Sequence, residues 1–422
     1  MKDIFIHRVL QNGVNLYVYP TRKFKTLTFC LFMHQSLKKD TATKTALLPF
    51  VLRRGTKSFP TTRLLNLHLE GLYGADLGAD VIKRGESHIL QFFIETIGPK
   101  YKDGEGILDE ALNVFREFIL DPVTEGNRFK KDYVEQEKDV LKRNIESLYS
   151  DKFNYAIERC FQEMCKEEDF SIYRYGNIED LPKIDNQNLY YYYLDCLKKC
   201  PLNIFVLGDI EAEEVAEKMG QLFDYQRGGP KVIKTSAGPD KIDKPKIVEE
   251  KIDISQGKLS MGYRTNIRYG DEDYYALMVY NGILGGGTHS KLFQNVREKE
   301  SLAYYAFSKL EKTKGLMLVS CGIDFNNYEK AVEIIQKQFE DIKKGKISDY
   351  EFDSTVKNIT NTLKEAGDSP SKIISLYLDG IINGIYESSD EMISKIQKVK
   401  KDDIVNIAEK IWLDTVFFLN RK

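Results

Sequence analysis

Histidine is scarce in this sequence. Its 422 residues hold five, His7, His34, His68, His88 and His289, all far apart along the chain. His68 has a carboxylate close by, at Glu70, but residues two apart on a helix do not share a face. Zinc asks for about three nitrogen, sulfur or carboxylate ligands, and this pattern assembles none. Cysteine is no better placed: Cys30, Cys160, Cys165, Cys196, Cys200 and Cys321 approach each other only at spacings of five and four. That fits neither CxxC metal knuckles nor a small disulfide scaffold, and a reducing cytoplasm is the expected home. Net charge is nearly absent, at -2, so no global basic excess points to nucleic acid. No run reaches the roughly 18 apolar residues of a membrane helix. The N-terminal residues are broken by Asp3, His7, Arg8, Asn12 and Gly13, and lack the continuous apolar core of a signal peptide.

What remains is an ordinary globular composition, 42% hydrophobic and 30% charged, in a chain too long for one core. Asn15–Pro20 and Thr26–Met33 read as strands. Thr43–Arg54 reads as a helix with Ala46, Leu47, Phe50 and Val51 on one face, closed by Gly55-Thr56. A second helix from Pro60 carries Leu64, Leu65, Leu69 and Leu72 inward, and strands follow at Ala75–Val81 and Ile89–Ile97. Amphipathic helices continue at Ile107–Ile119, Tyr133–Leu148, Tyr155–Cys165 and Asn186–Leu197, then a strand at Leu202–Leu207.

Residues 226–246, QRGGPKVIKTSAGPDKIDKPK, are rich in glycine and proline without periodicity and read as a linker. Beyond it the pattern starts again. The strand, helix, Gly-Thr, helix, strand series of Thr26–Ile97 is echoed by Lys258–Ile323, with Gly287-Thr288 answering Gly55-Thr56. The helix Leu108–Ile119 is answered by Ala331–Ile342. Ile184 and Leu189, ahead of the apolar strand that closes the first copy, match Val399 and Ile404 in the second. The expected fold is therefore α+β, two tandem homologous domains at 1–225 and 247–422, each an antiparallel-rich sheet with helices on one face.

The stretch Gly285–Tyr305, GGGTHSKLFQNVREKESLAYY, is the candidate for chemistry. Its glycines follow a helical stripe of Leu277, Tyr280, Ile283 and Leu284 and lack the Lys-Ser or Lys-Thr ending of a phosphate loop, so they read as a helix stop. A short helix, Ser290–Glu298, then delivers Arg297, and Tyr304 follows seven residues later in a β-prone run. A guanidinium fork and a phenol could grip a peptide carbonyl. Spacing alone favours the plainer reading, in which the Arg satisfies helix-end carbonyls and the Tyr sits in a half-buried strand.

This doubled plan resembles the M16 (pitrilysin/insulinase) family of zinc peptidases and the related mitochondrial processing peptidases, over essentially the whole chain. TKTALLPFVLRRGTKSFP, GLYGADLGADVIKRGESHI and DYVEQEKDVLKRNIESLYSDK resemble more closely a bacterial YmfF/YfmF-type subgroup, whose name is associated with modification of elongation factor P. The resemblance implies the LuxS/MPP-like metallohydrolase fold in a clamshell arrangement. Active members carry an HxxEH zinc motif ahead of the Gly-Thr. Here those five positions are Ala46, Leu47, Leu48, Pro49 and Phe50; Asn144 stands at the third ligand's position and Glu137 at that of a supporting Glu. The resemblance therefore implies a chain inactive by itself and without its own zinc. Arg297 and Tyr304 match an Arg/Tyr pair thought to hold the substrate backbone and oxyanion. The expected role is a non-catalytic subunit that binds peptide and pairs with an HxxEH-bearing, zinc-containing partner. The alternative is a stand-alone peptide-binding or scaffold protein.

Overall fold

The computed structural model describes residues 5–100, 104–229, 233, 236, 238–239, 242 and 244–422, and in these the strand patterns become two sheets. The first half runs β1 (Ile6–Val9), β2 (Asn15–Pro20), β3 (Thr26–Ser36), α1 (Ala42–Leu52), α2 (Thr62–Gly71), β4 (Asp76–Arg84), β5 (Ser87–Ile97), α3 (Gly104–Leu120), α4 (Lys131–Ser150), α5 (Lys152–Met164), α6 (Asn186–Lys199), β6 (Leu202–Gly208) and α7 (Ala212–Leu222). Its sheet has the order β1-β2-β6-β3-β5-β4, with β2 and β6 parallel and the other neighbours antiparallel. Alternation puts Leu27, Phe29, Leu31 and Met33 of β3 beside Leu90, Phe92 and Ile94 of β5 on one face. Ala46 and Leu47 of α1 and Leu112, Phe115 and Phe118 of α3 belong to the same core.

The second half runs β7 (Lys246–Ile252), β8 (Gly257–Arg264), α8 (Tyr274–Gly285), a π-wound helix (Leu292–Lys299), β9 (Ala303–Glu311), β10 (Leu316–Ile323), α9 (Tyr328–Lys343), α10 (Asp349–Ala366), α11 (Pro370–Asn383), α12 (Ser389–Lys398), α13 (Lys401–Ala408) and β11 (Trp412–Arg421). Its sheet order is β7-β11-β8-β10-β9, with β7 and β11 the parallel pair. Strand for strand this is β2-β6-β3-β5-β4 of the first sheet, so the repeat legible in the sequence is a repeat of topology. Leu259, Met261 and Tyr263 of β8 and Val319 and Cys321 of β10 form its core with Tyr280 of α8 and Ile335 and Phe339 of α9; the Tyr263 and Phe339 rings stack at 4.2 Å.

The compact units depart from a division at 225/247. Leu148–Ser171 belongs with Ser236–Lys422, while Asp3–Ser147 groups with Ile172–Thr235. The reason is the stripe of α5: Ala156 and Cys160 bury against Leu318, Phe417 and Leu419 on the face of the second sheet opposite its helices. Gly262 makes the approach possible, since a Cβ there would lie 2.7 Å from Met164 Sδ. Behind α5, Arg264 pairs with Glu168 at 2.8 Å and Asp414 at 2.9 Å, and Lys314 reaches Glu168 at 2.7 Å, in a buried network. Of the expected linker, 230–232, 234–235, 237, 240–241 and 243 lie outside the described residues, and Lys246 already begins β7.

Candidate functional site

In the first half the site must be read off α1. Ala46, Leu47 and Leu48 are 0% exposed, Pro49 is buried, and Phe50 is half-buried with its ring edge-on to Tyr175 at 6.5 Å. Pro49 has no N–H to give the Thr45 carbonyl one turn back. The helix persists because it is buried almost all round, and Thr45 Oγ1 is tied to Thr41 O at 3.0 Å and to Tyr192 Oη at 2.7 Å. The following Gly55-Thr56 turn is pinned by Glu117, which accepts from Thr56 Oγ1 at 2.9 Å and Ser58 Oγ at 2.7 Å.

On α4, Asn144 is half-exposed and its carbonyl accepts from Ser147 Oγ at 2.8 Å. Glu137 is only 7% exposed and pairs with Arg54 Nη1 at 3.2 Å. Burial pushes the Glu137 carboxyl above its ordinary range, against the pull of the Arg54 and Arg53 guanidinium groups. Arg54 also donates to Gln136 and lies over the Tyr133 ring at 4.7 Å. A guanidinium thus supplies the positive charge beside Glu137, in a role the sequence did not reveal. Its signal was the position of Arg54, one helical turn beyond Phe50.

Zinc does not fit this place. The side chains at 46, 49 and 50 carry no donor atom and are packed, and the one nearby carboxylate is spent on arginine. The histidines are each occupied elsewhere: His7 with Asn15, His34 with Asn203, His68 stacked on Phe59, His88 with the Arg174 carbonyl and His289 with Thr355. Among the described residues no group of three or more His, Cys, Asp or Glu could hold a metal ion.

The second half presents a different surface. The expected helix at 290–298 is π-wound over Leu292–Lys299, with Leu292 and Val296 buried beneath it and Glu300 N closing on Asn295 O at 3.3 Å. Such widened turns recur at functional sites. Arg297 is 42% exposed; its guanidinium lies 4.6 Å from the Phe293 ring centroid and 3.7 Å from Glu298. Ser301, at φ 50, turns the chain sharply into β9, and Leu302 N bonds Val296 O at 3.0 Å.

Strand β9 is a sheet edge, and its pairing jumps from Gly322↔Tyr305 to Ile323↔Ala303. Tyr304 is therefore the extra residue of a β-bulge, a device that re-aims a side chain out of the pleat. It stands 67% exposed, and its hydroxyl has no hydrogen-bond partner among the described residues. The half-buried strand tyrosine is its neighbour Tyr305. Arg297 and Tyr304 are each held outward by the π helix and the strand it packs on, without touching one another by any hydrogen bond. Neither the π winding nor the bulge has a sequence signature in side-chain period.

Two sheets of the same strand order, the first half with apolar side chains at positions 46–50, define a doubled α+β fold. The description Peptidase M16 inactive domain matches residues 183–359. The chain is 39% identical over 408 residues to the "Probable inactive metalloprotease YmfF" of Bacillus subtilis (strain 168), covering 96% of both chains. A crystal structure of a conserved protein from Enterococcus faecalis V583 superposes with a TM-score of 0.92 at 32% identity, over 99% of both chains. The fold also matches a peptidase M16 inactive domain from Pseudomonas fluorescens, TM-score 0.82 at 17% identity, covering 99% of this chain and 98% of that one. The chain belongs to the M16 peptidase family, as a homologue of its inactive, YmfF-type members. No helix among the described residues is long and apolar enough to cross a membrane.

Proposed function

We propose that this chain is the non-catalytic subunit of a two-subunit peptidase, holding a peptide and presenting Arg297 and Tyr304 to the active site of an HxxEH-bearing sister. The observation that carries the reading is the exposed pair itself. A phenol hydroxyl with no hydrogen-bond partner among the described residues stands on a bulge, and an outward guanidinium stands on the helix that packs on the same strand, in a chain whose own ligand positions are apolar. The sister's metal would supply the activated water. This chain's part is to orient the scissile carbonyl and to donate hydrogen bonds as negative charge develops on its oxygen. The six cysteines are all buried and none forms a disulfide, which supports a reducing, cytoplasmic setting for the pair.

The test is co-purification with an HxxEH-containing protein, followed by peptide hydrolysis by the mixture with wild type, Arg297→Ala and Tyr304→Phe at equal complex concentration. Removing one such donor is expected to slow turnover about a hundredfold to a thousandfold, with assembly and melting unchanged. Equal turnover by all three would return the two residues to structural duty and leave the chain a stand-alone peptide-binding scaffold.

A further inference from the structure

On the α5 side of the second sheet, Lys258 of β8, Gly322 of β10 and Tyr305 of β9 stand in one row across three strands. Gly322 is required there: a Cβ would lie 2.6 Å from Tyr305 Cε1 and 2.9 Å from Gln256 Oε1. Its absence lets the tyrosine ring and the Gln256 amide close over the strand. Phe153, in the first turn of α5, packs on Tyr305 at 5.1 Å and on Phe307 at 5.8 Å. Between Phe153 and the β7–β8 turn opens a cavity of about 570 Å³, lined by Asp151, Phe153, Asp253, Ile254, Gln256 and Lys258.

The charge in this cavity is unbalanced at one atom. Lys258 Nζ donates to the neutral Gln256 Oε1 and lies 5.4 Å from the Tyr305 ring centroid, and among the described residues no carboxylate pairs with it. Other buried or half-buried lysines of the same unit are paired: Lys291 with Glu351 at 2.8 Å, Lys312 with Asp379 at 2.8 Å and Lys314 with Glu168 at 2.7 Å. Burial holds the Lys258 ammonium below the usual lysine range, the sign of a cation short of compensation. The nearby groups are committed elsewhere. Asp151 caps α5, accepting from Asn154 N at 3.1 Å and Asn154 Nδ2 at 2.6 Å; Lys152 donates to the Tyr149 carbonyl at 2.6 Å; Asp253 lies on the exposed rim.

We propose that this cavity is an anion pocket for the bound peptide, in which Lys258 takes a carboxylate from an acidic side chain or from the peptide's C-terminus. The proposal rests on the reading of Arg297 and Tyr304 as a peptide grip, and its location follows from the chain: Phe153, which lines the pocket, packs on Tyr305, the residue after Tyr304. A carboxylate entering it gains a charge-assisted hydrogen bond in a half-buried site beside the Phe153 ring. Peptides carrying a negative charge at the matching distance from the gripped carbonyl are thereby selected.

The test is direct binding of fluorescent peptides to the full chain without its sister. One peptide series carries Glu or Gln at each position in turn, and another carries a free or amidated C-terminus. Wild type is expected to favour one carboxylate-bearing member by about tenfold to a hundredfold over its neutral twin. Which series shows the preference identifies the source of the carboxylate. In Lys258→Met that ratio falls to about one, while Lys258→Arg retains most of it, which separates charge recognition from a folding defect. Equal affinity for charged and neutral twins in wild type, a preference that survives Lys258→Met, or no binding of any peptide overturns the proposal. The grip itself stands or falls separately by turnover in the Arg297 and Tyr304 variants, so a lost preference with intact turnover effects rejects the pocket alone.

Discussion

The segment from α1 through α2 to β4 and the segment from α8 through the π helix to β9 hold the same place in two sheets of the same strand order, yet their surfaces have gone opposite ways. In the first, positions 46–50 are filled by Ala, Leu, Leu, Pro and Phe, and the helix is packed almost all round. In the second, irregular backbone at two consecutive elements keeps an arginine and a tyrosine in water. A regular helix such as α2, with Thr61 capping Leu64 N, has hydrogen bonds of ordinary quality. A π turn and an edge bulge do not, and irregularities of that kind are retained where a side chain must be aimed. The two halves teach that one fold can close a site by packing and leave its counterpart open by local distortion.

The comparison breaks most decisively if α1 tolerates polarity. Replacing Ala46 and Phe50 by His and Pro49 by Glu places three polar groups where no partner awaits them. Each unsatisfied buried group costs about 1–3 kcal/mol, so the triple variant is expected to lose several kcal/mol in denaturant melts, without gaining stoichiometric zinc by elemental analysis. A triple variant as stable as the parent would mean that this face is not core.

Next in size is the pairing beneath each segment, where the two halves should respond to pH with opposite sign. Burial raises the Glu137 carboxyl against Arg54. Its folded state therefore binds the proton more readily than its unfolded state, and wild type gains on Glu137→Gln as pH falls through the glutamate range. At Glu351 burial also works upward, but hydrogen bonds from Lys291 and Ser348 outweigh it and hold the carboxyl below the usual range. Its advantage over Glu351→Gln is complete above the ordinary glutamate pKa and is lost as pH falls through the lowered one. At neutral pH the Glu351 variant is expected to lose about 1.5–3 kcal/mol, the worth of hydrogen bonds to a charged group. Parallel melts of both variants between pH 3 and 7 check the sign, and slopes of the same sign would remove the distinction.

Residue identity made some of this legible in the sequence. The apolar character of Ala46, Pro49 and Phe50 is plain in any conformation, and the strand and helix periods located most elements because one face of each is buried. What escaped was decided by register or by partner. The stripe of α5 marks a helix that buries one face, but a stripe does not say which sheet it covers, and α5 covers the second. Leu64 was expected inward; Leu65, Leu69 and Leu72 suffice to fill that face, and Leu64 is left 45% exposed. The bulge at Tyr304 and the π turn below it are one-residue offsets, invisible to a period of two or of 3.6. The unpaired state of Lys258 depends on what the neighbouring strands and α5 bring near it.

The smallest effect is the sharpest test of the open half. Arg297 contacts the Phe293 ring and Glu298 at its own helix end, and Tyr304 stands on an edge strand with its hydroxyl in solvent. Exposed ion pairs and cation–π contacts contribute at most about 1 kcal/mol, and surface substitutions usually fall within about 0.5 kcal/mol of neutral. Arg297→Ala and Tyr304→Phe are therefore expected to melt with the parent to within about 0.5 kcal/mol, in contrast to the several kcal/mol lost on α1. Tyr304→Phe is the cleaner of the two, since it removes one oxygen and leaves the ring and the bulge. A loss above about 2 kcal/mol in that variant would mean that the hydroxyl is holding the strand. The outward aim of Tyr304 would then be a consequence of folding, and the asymmetry between the halves would carry no information about substrate.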